Sequence, residues 1–182
     1  MIEIRIHGRG GQGAVTAAEL IAVAAFYDGW SVQAFPSFGV ERRGAPVEAY
    51  VRLDKKFIKL RSQVYQPDFV IVQDPTLIGL PEVLAGIKKN TLMIINTVKK
   101  PAEIKGLPKN LKIITVPATQ IANQILGKPI INTVLLGAWA GASGLVKLTS
   151  LKKAILKRFP GELGLKNFEA AEVAYRQVSG GK

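Results

Sequence analysis

Residues 2–14 read Ile-Glu-Ile-Arg-Ile-His-Gly-Arg-Gly-Gly-Gln-Gly-Ala, and this stretch decides the fold. Isoleucines at every second position are typical of a β-strand, which we expect to end at His7-Gly8. The turn that follows, Gly8 to Gly13, matches the pattern G-x-G-x-x-G. Apolar residues then recur at helical spacing over residues 14–28, and Gly29 closes that helix. Strand, glycine turn and helix in this order predict the first unit of an α/β sheet.

The rest of the chain keeps this α/β character. Further strands are predicted at residues 32–38, 46–53, 57–60, 68–74, 91–96 and 112–116, and helices at 118–126, 132–145, 151–159 and 165–178. A short helical or loop segment is expected around residues 81–86. The first three of these strands follow one another without a helix between them, which predicts an antiparallel extension at one edge. We therefore expect a single α/β domain over residues 1–182, with a mostly parallel, Rossmann-like sheet covered by helices.

The composition limits the chemistry that this chain performs. It has 182 residues, no cysteine and one histidine. The lack of cysteine excludes a cysteine nucleophile and a thiolate-bound zinc or iron–sulfur site. A single histidine nearly excludes a histidine-based metal site or catalytic triad. We therefore predict no catalytic residue and no metal site in this chain.

The charge is strongly basic. Lys and Arg number 25 against 13 Asp and Glu, which gives a formal net charge of +12. Such an excess suits nucleic acid, acidic lipid, a phosphorylated ligand or an acidic protein partner. No nucleic-acid-binding motif accompanies it, and no apolar stretch approaches the roughly 20 residues that span a bilayer. We expect a cytoplasmic protein without a targeting segment, which binds neither nucleic acid nor membrane and whose basic residues form a solvated surface or a subunit interface.

The glycine turn is the first candidate binding site. It consists of Gly8, Arg9, Gly10, Gly11, Gln12 and Gly13. Glycines permit a close approach to the backbone, and the following helix N-terminus offers free N–H groups, so a phosphate or pyrophosphate suits this place. A dinucleotide site also needs an acidic side chain about 20 residues further on, and residues 33–37 contain none. The alternative is a tight corner between strand and helix that binds no ligand.

The second candidate is the segment 35–46, which contains Glu41, Arg42 and Arg43. It follows a predicted strand at the sheet edge where open parallel sheets bind their ligands. An arginine pair suits a carboxylate or a phosphate, such as the ribose phosphate of NADP or the 3′-phosphate of coenzyme A. The alternative is a structural corner in which Glu41 pairs with an arginine.

Other polar or aromatic residues have simpler interpretations. We expect His7 to be a packed histidine, Asp74 to cap a turn, and Trp139 to lie in the core. Asn132 and Ser150 are predicted helix caps.

Four motifs together resemble one family. They are H-G-R-G-G-Q-G-A at 7–14, F-P-S-F-G-V-E-R-R-G-A-P-V at 35–47, N-T-V-L-L-G-A at 132–138 and G-E-L-G-L-K-N at 161–167. Over nearly the whole chain the sequence resembles the gamma subunit of 2-oxoacid:ferredoxin oxidoreductases, with the pyruvate or 2-oxoisovalerate type most similar.

The resemblance implies a subunit rather than a complete enzyme. The family oxidatively decarboxylates a 2-oxoacid with coenzyme A to acyl-CoA, CO2 and reduced ferredoxin. The resemblance implies that thiamine diphosphate, Mg²⁺ and [4Fe-4S] clusters are held by partner subunits (alpha, beta and delta). It also implies that ferredoxin interacts with the assembled complex. It further implies that Gly8 to Gly13, with Glu41, Arg42 and Arg43, face coenzyme A, partner subunits or both. The alternatives are a stand-alone nucleotide- or phosphate-binding module and a scaffold subunit that binds no ligand.

Overall fold

The computed structural model describes residues 1–37 and 43–180. Its strands are β1 (Ile2–Arg9), β2 (Ser31–Pro36), β3 (Pro46–Asp54), β4 (Phe69–Val72), β5 (Leu92–Asn96) and β6 (Lys112–Val116). Its helices are α1 (Ala14–Tyr27), α2 (Pro81–Leu84), α3 (Ala118–Leu126), α4 (Asn132–Ser143), α5 (Leu148–Arg158) and α6 (Glu162–Ser179), with 3-10 turns at Pro75–Leu77 and Pro101–Glu103.

The six strands form one sheet in the order β2-β3-β1-β4-β5-β6. β1, β4, β5 and β6 run parallel, whereas β3 is antiparallel to both β1 and β2. This confirms the predicted mostly parallel sheet with an antiparallel extension. β1 lies inside the sheet, where Ile4 faces Val51 of β3 on one side and Phe69 of β4 on the other.

Most helices cover one face of the sheet. α1 and α4 pack there on the side chains that alternate inward, such as Ile4 and Ile6, and α3, α5 and α6 pack on these two helices and on one another. Trp139 of α4 is 1% exposed and meets the ring of Phe69 edge-on, so its predicted place in the core is confirmed. α4 packs closely against α6 because Gly137 lacks a Cβ, which would otherwise meet the carbonyl oxygen of Ala171.

The opposite face is apolar over β4 and β5 but polar over β1 and β3. Leu77 and Val83 cover the apolar part. Over the polar part runs an irregular segment, residues 55–67, which we call the strap. Beneath it Arg5, His7 and Arg52 are buried.

The strap contradicts one prediction. No strand forms at residues 57–60, although the local pattern resembles one. The carbonyl oxygen of Leu60 accepts a hydrogen bond from the side chain of Gln33 (3.0 Å), a residue of β2, rather than from a strand backbone. The alternation of buried and exposed side chains in this segment therefore comes from an irregular backbone held on the face of the sheet by side-chain hydrogen bonds, and not from an additional strand.

Several element ends also differ from prediction, and three of them change the role given to a named residue. β1 continues through Arg9 because Gly8 and Arg9 still pair with β3. Asn132 does not cap α4, since the helix begins at Asn132 itself and Ile131 precedes it. Ser150 does not cap α5 because that helix already begins at Leu148; its hydroxyl instead donates to Asp28 (2.7 Å).

His7 is a packed, uncharged histidine, as predicted. Its Nε2 accepts a hydrogen bond from Nε of Arg5 (3.0 Å), so the ring proton resides on Nδ1, which lies 3.5 Å from the Glu48 carboxylate. Burial lowers the pKa of His7 to about 3, and the charge of Arg5 acts in the same direction. The unfolded chain therefore takes up a proton below pH 6.5 that the folded chain refuses until about pH 3.

We predict that His7→Gln reduces the loss of stability on acidification. Between pH 6.5 and 4 the histidine contributes a slope of up to about 1.4 kcal/mol per pH unit, and glutamine keeps an acceptor for Arg5 without titrating. Denaturant unfolding of both proteins across this range measures the difference. Parallel pH profiles of the free energy of unfolding would contradict the assignment.

Candidate functional site

The candidate site is a cleft at the carboxyl edge of the parallel strands. β1, β4, β5 and β6 all end at this edge, and the segments that follow them enclose a volume of about 660 Å³. The lining residues are Gly11, Gln12, Gly13, Gln73, Asp74, Pro75, Asn96, Thr119, Pro129, Ile130, Ile131 and Asn132.

Three helices begin at this cleft. Gly13 precedes α1, Thr119 lies in the first turn of α3, and Asn132 opens α4. None of the three residues that precede these helices makes a side-chain cap bond, and none of the first turns contains an acidic residue. Within the first turns, the side-chain oxygens of Asn96 and Asn132 accept hydrogen bonds from the N–H groups of Thr119 and Thr133. First-turn N–H groups lack intrahelical acceptors and carry a partial positive charge. The cleft therefore collects three positive helix ends, an arrangement that favours an anionic ligand.

The glycine turn supplies one wall of the cleft. Gly11 and Gly13 have φ values of 96° and 77°, the left-handed region that glycine adopts without strain. The N–H of Gln12 donates to the carbonyl of Arg9, and the N–H of Arg9 donates to Oε1 of Gln12 (2.7 Å). At Gly13 a Cβ would lie 2.7 Å from Nδ2 of Asn132, so the start of α4 packs directly on the turn.

The side chain of Arg9 is held by hydrogen bonds to other residues of the site. Its guanidinium donates to Asp74 (2.8 Å), to the hydroxyl of Thr76 (2.7 Å) and to the carbonyl of Gly44 (3.1 Å). Burial opposes ionisation of Asp74, but hydrogen bonds from Thr76 and the ion pair with Arg9 hold its pKa below the ordinary value. Asp74 also caps the 3-10 turn at Pro75–Leu77, which confirms its predicted capping role.

Gln73 is a polar side chain of the cleft wall that has no hydrogen-bond partner among the described residues. It is 1% exposed, and neither its Oε1 nor its Nε2 makes a hydrogen bond within the described part of the chain. Gly8 makes room for it, because a Cβ there would meet Oε1 of Gln73. A buried amide without partners is costly, so a rotation that brings this side chain to a bound molecule in the cleft would be favoured.

Asn96 fixes the relation between the strand ends and α3. Its Nδ2 donates to the carbonyl of Gln73 (3.0 Å) and to the hydroxyl of Thr119 (2.9 Å), and its Oδ1 accepts from the N–H of Thr119. The cleft is thereby held in shape by backbone-directed bonds.

The structure brings the end of the arginine segment to the glycine turn. Arg43 forms a parallel β-bridge with Gly10, the N–H of Gly10 donates to the carbonyl of Ala45 (2.9 Å), and Arg43 itself is exposed. Glu41 and Arg42 lie outside the described residues. Both predicted segments thus converge on one edge of the sheet.

Sequence reasoning did not single out Gln73, Asn96, Thr119 or Asn132 as binding residues. Each lies at the end of a strand or at the start of a helix at the carboxyl edge of the sheet. Their position at the ends of the predicted elements is therefore the feature of the sequence that could have identified them. Among the described residues, no group of three His, Asp or Glu side chains could hold a metal ion. No helix within 1–37 and 43–180 has the length and hydropathy to cross a membrane.

The fold and the cleft define an open α/β domain, a class whose ligands bind at the carboxyl edge of the sheet. Residues 3–177 match the model of the pyruvate ferredoxin/flavodoxin oxidoreductase family. The chain is 57% identical over 178 residues to pyruvate synthase subunit PorC of Methanocaldococcus jannaschii, covering 98% of this chain and 97% of that protein. It is 55% identical over 182 residues to the pyruvate/ketoisovalerate oxidoreductases common subunit gamma of Pyrococcus furiosus, with the same coverage.

Solved structures agree. Pyruvate oxidoreductase subunit PORC of Thermotoga maritima superposes with a TM-score of 0.86 at 39% identity, over 96% of this chain and 95% of that one. A 2-oxoglutarate:ferredoxin oxidoreductase of Magnetococcus marinus shares the fold at 21% identity and a TM-score of 0.81, over 100% of this chain and 31% of that one. The chain therefore belongs to the pyruvate ferredoxin/flavodoxin oxidoreductase family, as a gamma-type subunit of a multisubunit 2-oxoacid:ferredoxin oxidoreductase.

We predict that Gly13→Ala destabilises the chain more than Gly29→Ala. Both residues have nearly equal positive φ values (77° and 78°), so both lose about 1–2 kcal/mol from backbone strain. Only the Cβ at position 13 also displaces the buried amide of Asn132, which adds about 1 kcal/mol. Denaturant unfolding measures both variants, and equal losses would contradict the close packing of α4 on the glycine turn.

Proposed function

We propose that this chain contributes a coenzyme A-binding surface to the oxidoreductase, with the phosphate groups of the coenzyme in the cleft. The observation that carries this proposal is the convergence of three helix N-termini on one cleft, with no acidic residue in any of their first turns. Coenzyme A is the acyl acceptor of the reaction and carries a pyrophosphate and a 3′-phosphate. Backbone N–H groups at helix N-termini suit such groups.

The side chains around the cleft match other parts of the same ligand. The unpartnered amide of Gln73 suits the amide groups of the pantetheine arm, which both donate and accept hydrogen bonds. Arg42 and Arg43 follow Glu41 in the segment that returns to Gly10, and we assign them to the 3′-phosphate. Arg9 holds Asp74 and shapes the turn, so its role toward the ligand is indirect.

A related structure supports the choice of ligand. The Magnetococcus marinus enzyme was solved with 2-oxoglutarate, coenzyme A and succinyl-CoA bound, and part of that chain has the fold of this one. At 21% identity it supports the fold and the class of ligand, not individual contacts.

The remaining chemistry belongs to partner chains in this proposal. This chain has no cysteine and cannot ligate an iron–sulfur cluster. We assign thiamine diphosphate and Mg²⁺ to alpha and beta subunits, [4Fe-4S] clusters and contact with ferredoxin to the complex that includes delta, and the assembly to the cytoplasm. Relatives named for pyruvate alone and for pyruvate with ketoisovalerate are 57% and 55% identical to this chain, so we infer that the 2-oxoacid is selected by another subunit.

We predict that Asn132→Asp raises the KM for coenzyme A about tenfold and leaves kcat nearly unchanged. The substitution is almost isosteric and places a carboxylate at the first residue of α4, where it suits the helix but repels a phosphate in the cleft. Steady-state kinetics of the purified complex with varied coenzyme A measures the effect.

Asn110→Asp is the matched control. Asn110 is exposed and precedes β6, so it lies at the opposite edge of the sheet from the cleft. We expect it to leave the KM unchanged. An unchanged KM for Asn132→Asp in an intact complex would instead identify the chain as a scaffold that binds no coenzyme.

Arg42→Ala and Arg43→Ala should each weaken coenzyme A more than dephospho-coenzyme A. Loss of a charge-assisted hydrogen bond to the 3′-phosphate corresponds to about tenfold in KM for the full coenzyme and to little for the analogue. Kinetics with both acceptors tests this. Equal effects on the two would place these arginines elsewhere, and loss of subunits from the complex would assign them to an interface.

A further inference from the structure

The strap, residues 55–67, presents three large apolar side chains to solvent. Phe57 is 78% exposed, Tyr65 66% and Leu60 46%. The strap's contribution to packing comes from other positions, since Ile58 and Val64 are buried. The exposed side chains therefore do nothing for the fold of the isolated chain.

The strap is held in one shape by buried side chains of the sheet. Arg52, 1% exposed, donates to the carbonyl of Gln63 (2.9 Å), and Arg5 donates to the carbonyl of Val64 (3.5 Å). Gln33 donates to the carbonyl of Leu60. Gly86 packs against the C-terminal part of the strap, so closely that a Cβ on Gly86 would meet the carbonyl oxygen of Tyr65. A segment without regular structure is thereby preorganised, which lowers the entropy lost when it binds a partner.

The charge of the strap has one sign. Lys55, Lys56, Lys59 and Arg61 are all exposed, and residues 55–67 contain no Asp or Glu. Lys55 stacks over the ring of Trp30 at 3.6 Å. The other three side chains make no ion pair with any described residue. Four cations around aromatic and aliphatic groups match an apolar surface bordered by carboxylates.

We propose that the strap is a docking surface for another subunit of the same oxidoreductase, which offers an apolar hollow rimmed by Asp and Glu. The chain belongs to a family of subunits, so a protein partner exists for it. A second copy of this chain fits poorly, because a symmetric contact would bring the same cations face to face. The proposal rests on membership of the complex and is independent of the coenzyme A cleft.

Charge reversal tests the proposal in the assembled enzyme. The tagged chain is co-produced with the other subunits, and the complement retained at 0.15 M salt is measured by native mass spectrometry. Lys56→Glu, Lys59→Glu and Arg61→Glu together should reduce retention at least tenfold. The control changes three exposed lysines outside the strap and the cleft, Lys105, Lys109 and Lys153, to Glu and should retain all subunits. A full complement with the strap variant overturns the proposal.

Photo-crosslinking gives a second measurement that does not depend on the multiple variant being stable. A benzophenone side chain at position 57 or 65 in the assembled complex should form an adduct with one partner subunit. An adduct between two copies of this chain, or no adduct, overturns the proposal. Binding of poly(U) by the wild-type complex that the charge-reversed complex loses, with its subunits intact, would assign the strap to nucleic acid. Complexes that carry a benzophenone side chain or the charge-reversed strap and keep all their subunits should have an unchanged KM for coenzyme A. The docking proposal and the coenzyme A proposal can therefore be contradicted independently of each other.

Discussion

β1 is hydrogen-bonded along both edges, and the cleft, the core and the strap all depend on this one strand. Its pairing with β3 and β4 fixes the alternation of its side chains. Ile4 and Ile6 enter the core, while Arg5 and His7 enter the polar layer beneath the strap. At its carboxyl end the strand delivers the glycine turn to the cleft. A shift of one residue in register would exchange the two faces and disrupt all three regions together.

Sequence periodicity predicted those parts of the fold that depend on local pattern. The alternating isoleucines, the apolar runs that became β4 to β6 and the glycine turn all had clear local signals. The pattern around Ile58 also resembled a strand, yet the polar groups beneath it are the buried Arg5 and Arg52, which satisfy strap carbonyls with side chains. Tertiary hydrogen bonds decided the conformation there, and local alternation carries no information about them.

The sequence predicted some residues of the candidate site and missed others. The glycine turn and the arginine segment were found because glycines and paired arginines are unusual in sequence. Gln73 and Asn132 are ordinary polar residues at element ends, and only the strand order brings them into one cleft. The burial of Gln73 without a hydrogen-bond partner among the described residues is a property of packing and has no counterpart in the sequence.

The net charge of +12 is distributed in a way that separates two kinds of recognition. Among the described residues that line the cleft there is no lysine or arginine, and the helix N-termini with their backbone N–H groups provide positive potential there. The strap carries four cations within thirteen residues and no anion.

Fixed dipoles suit a ligand that must enter and leave in each turnover, since they need no rearrangement of side chains. Mobile surface charges suit a lasting contact between subunits, where they steer association and select the partner. Under the two proposals, the four cations of the strap serve assembly, and the helix N-termini at the cleft serve a phosphorylated ligand.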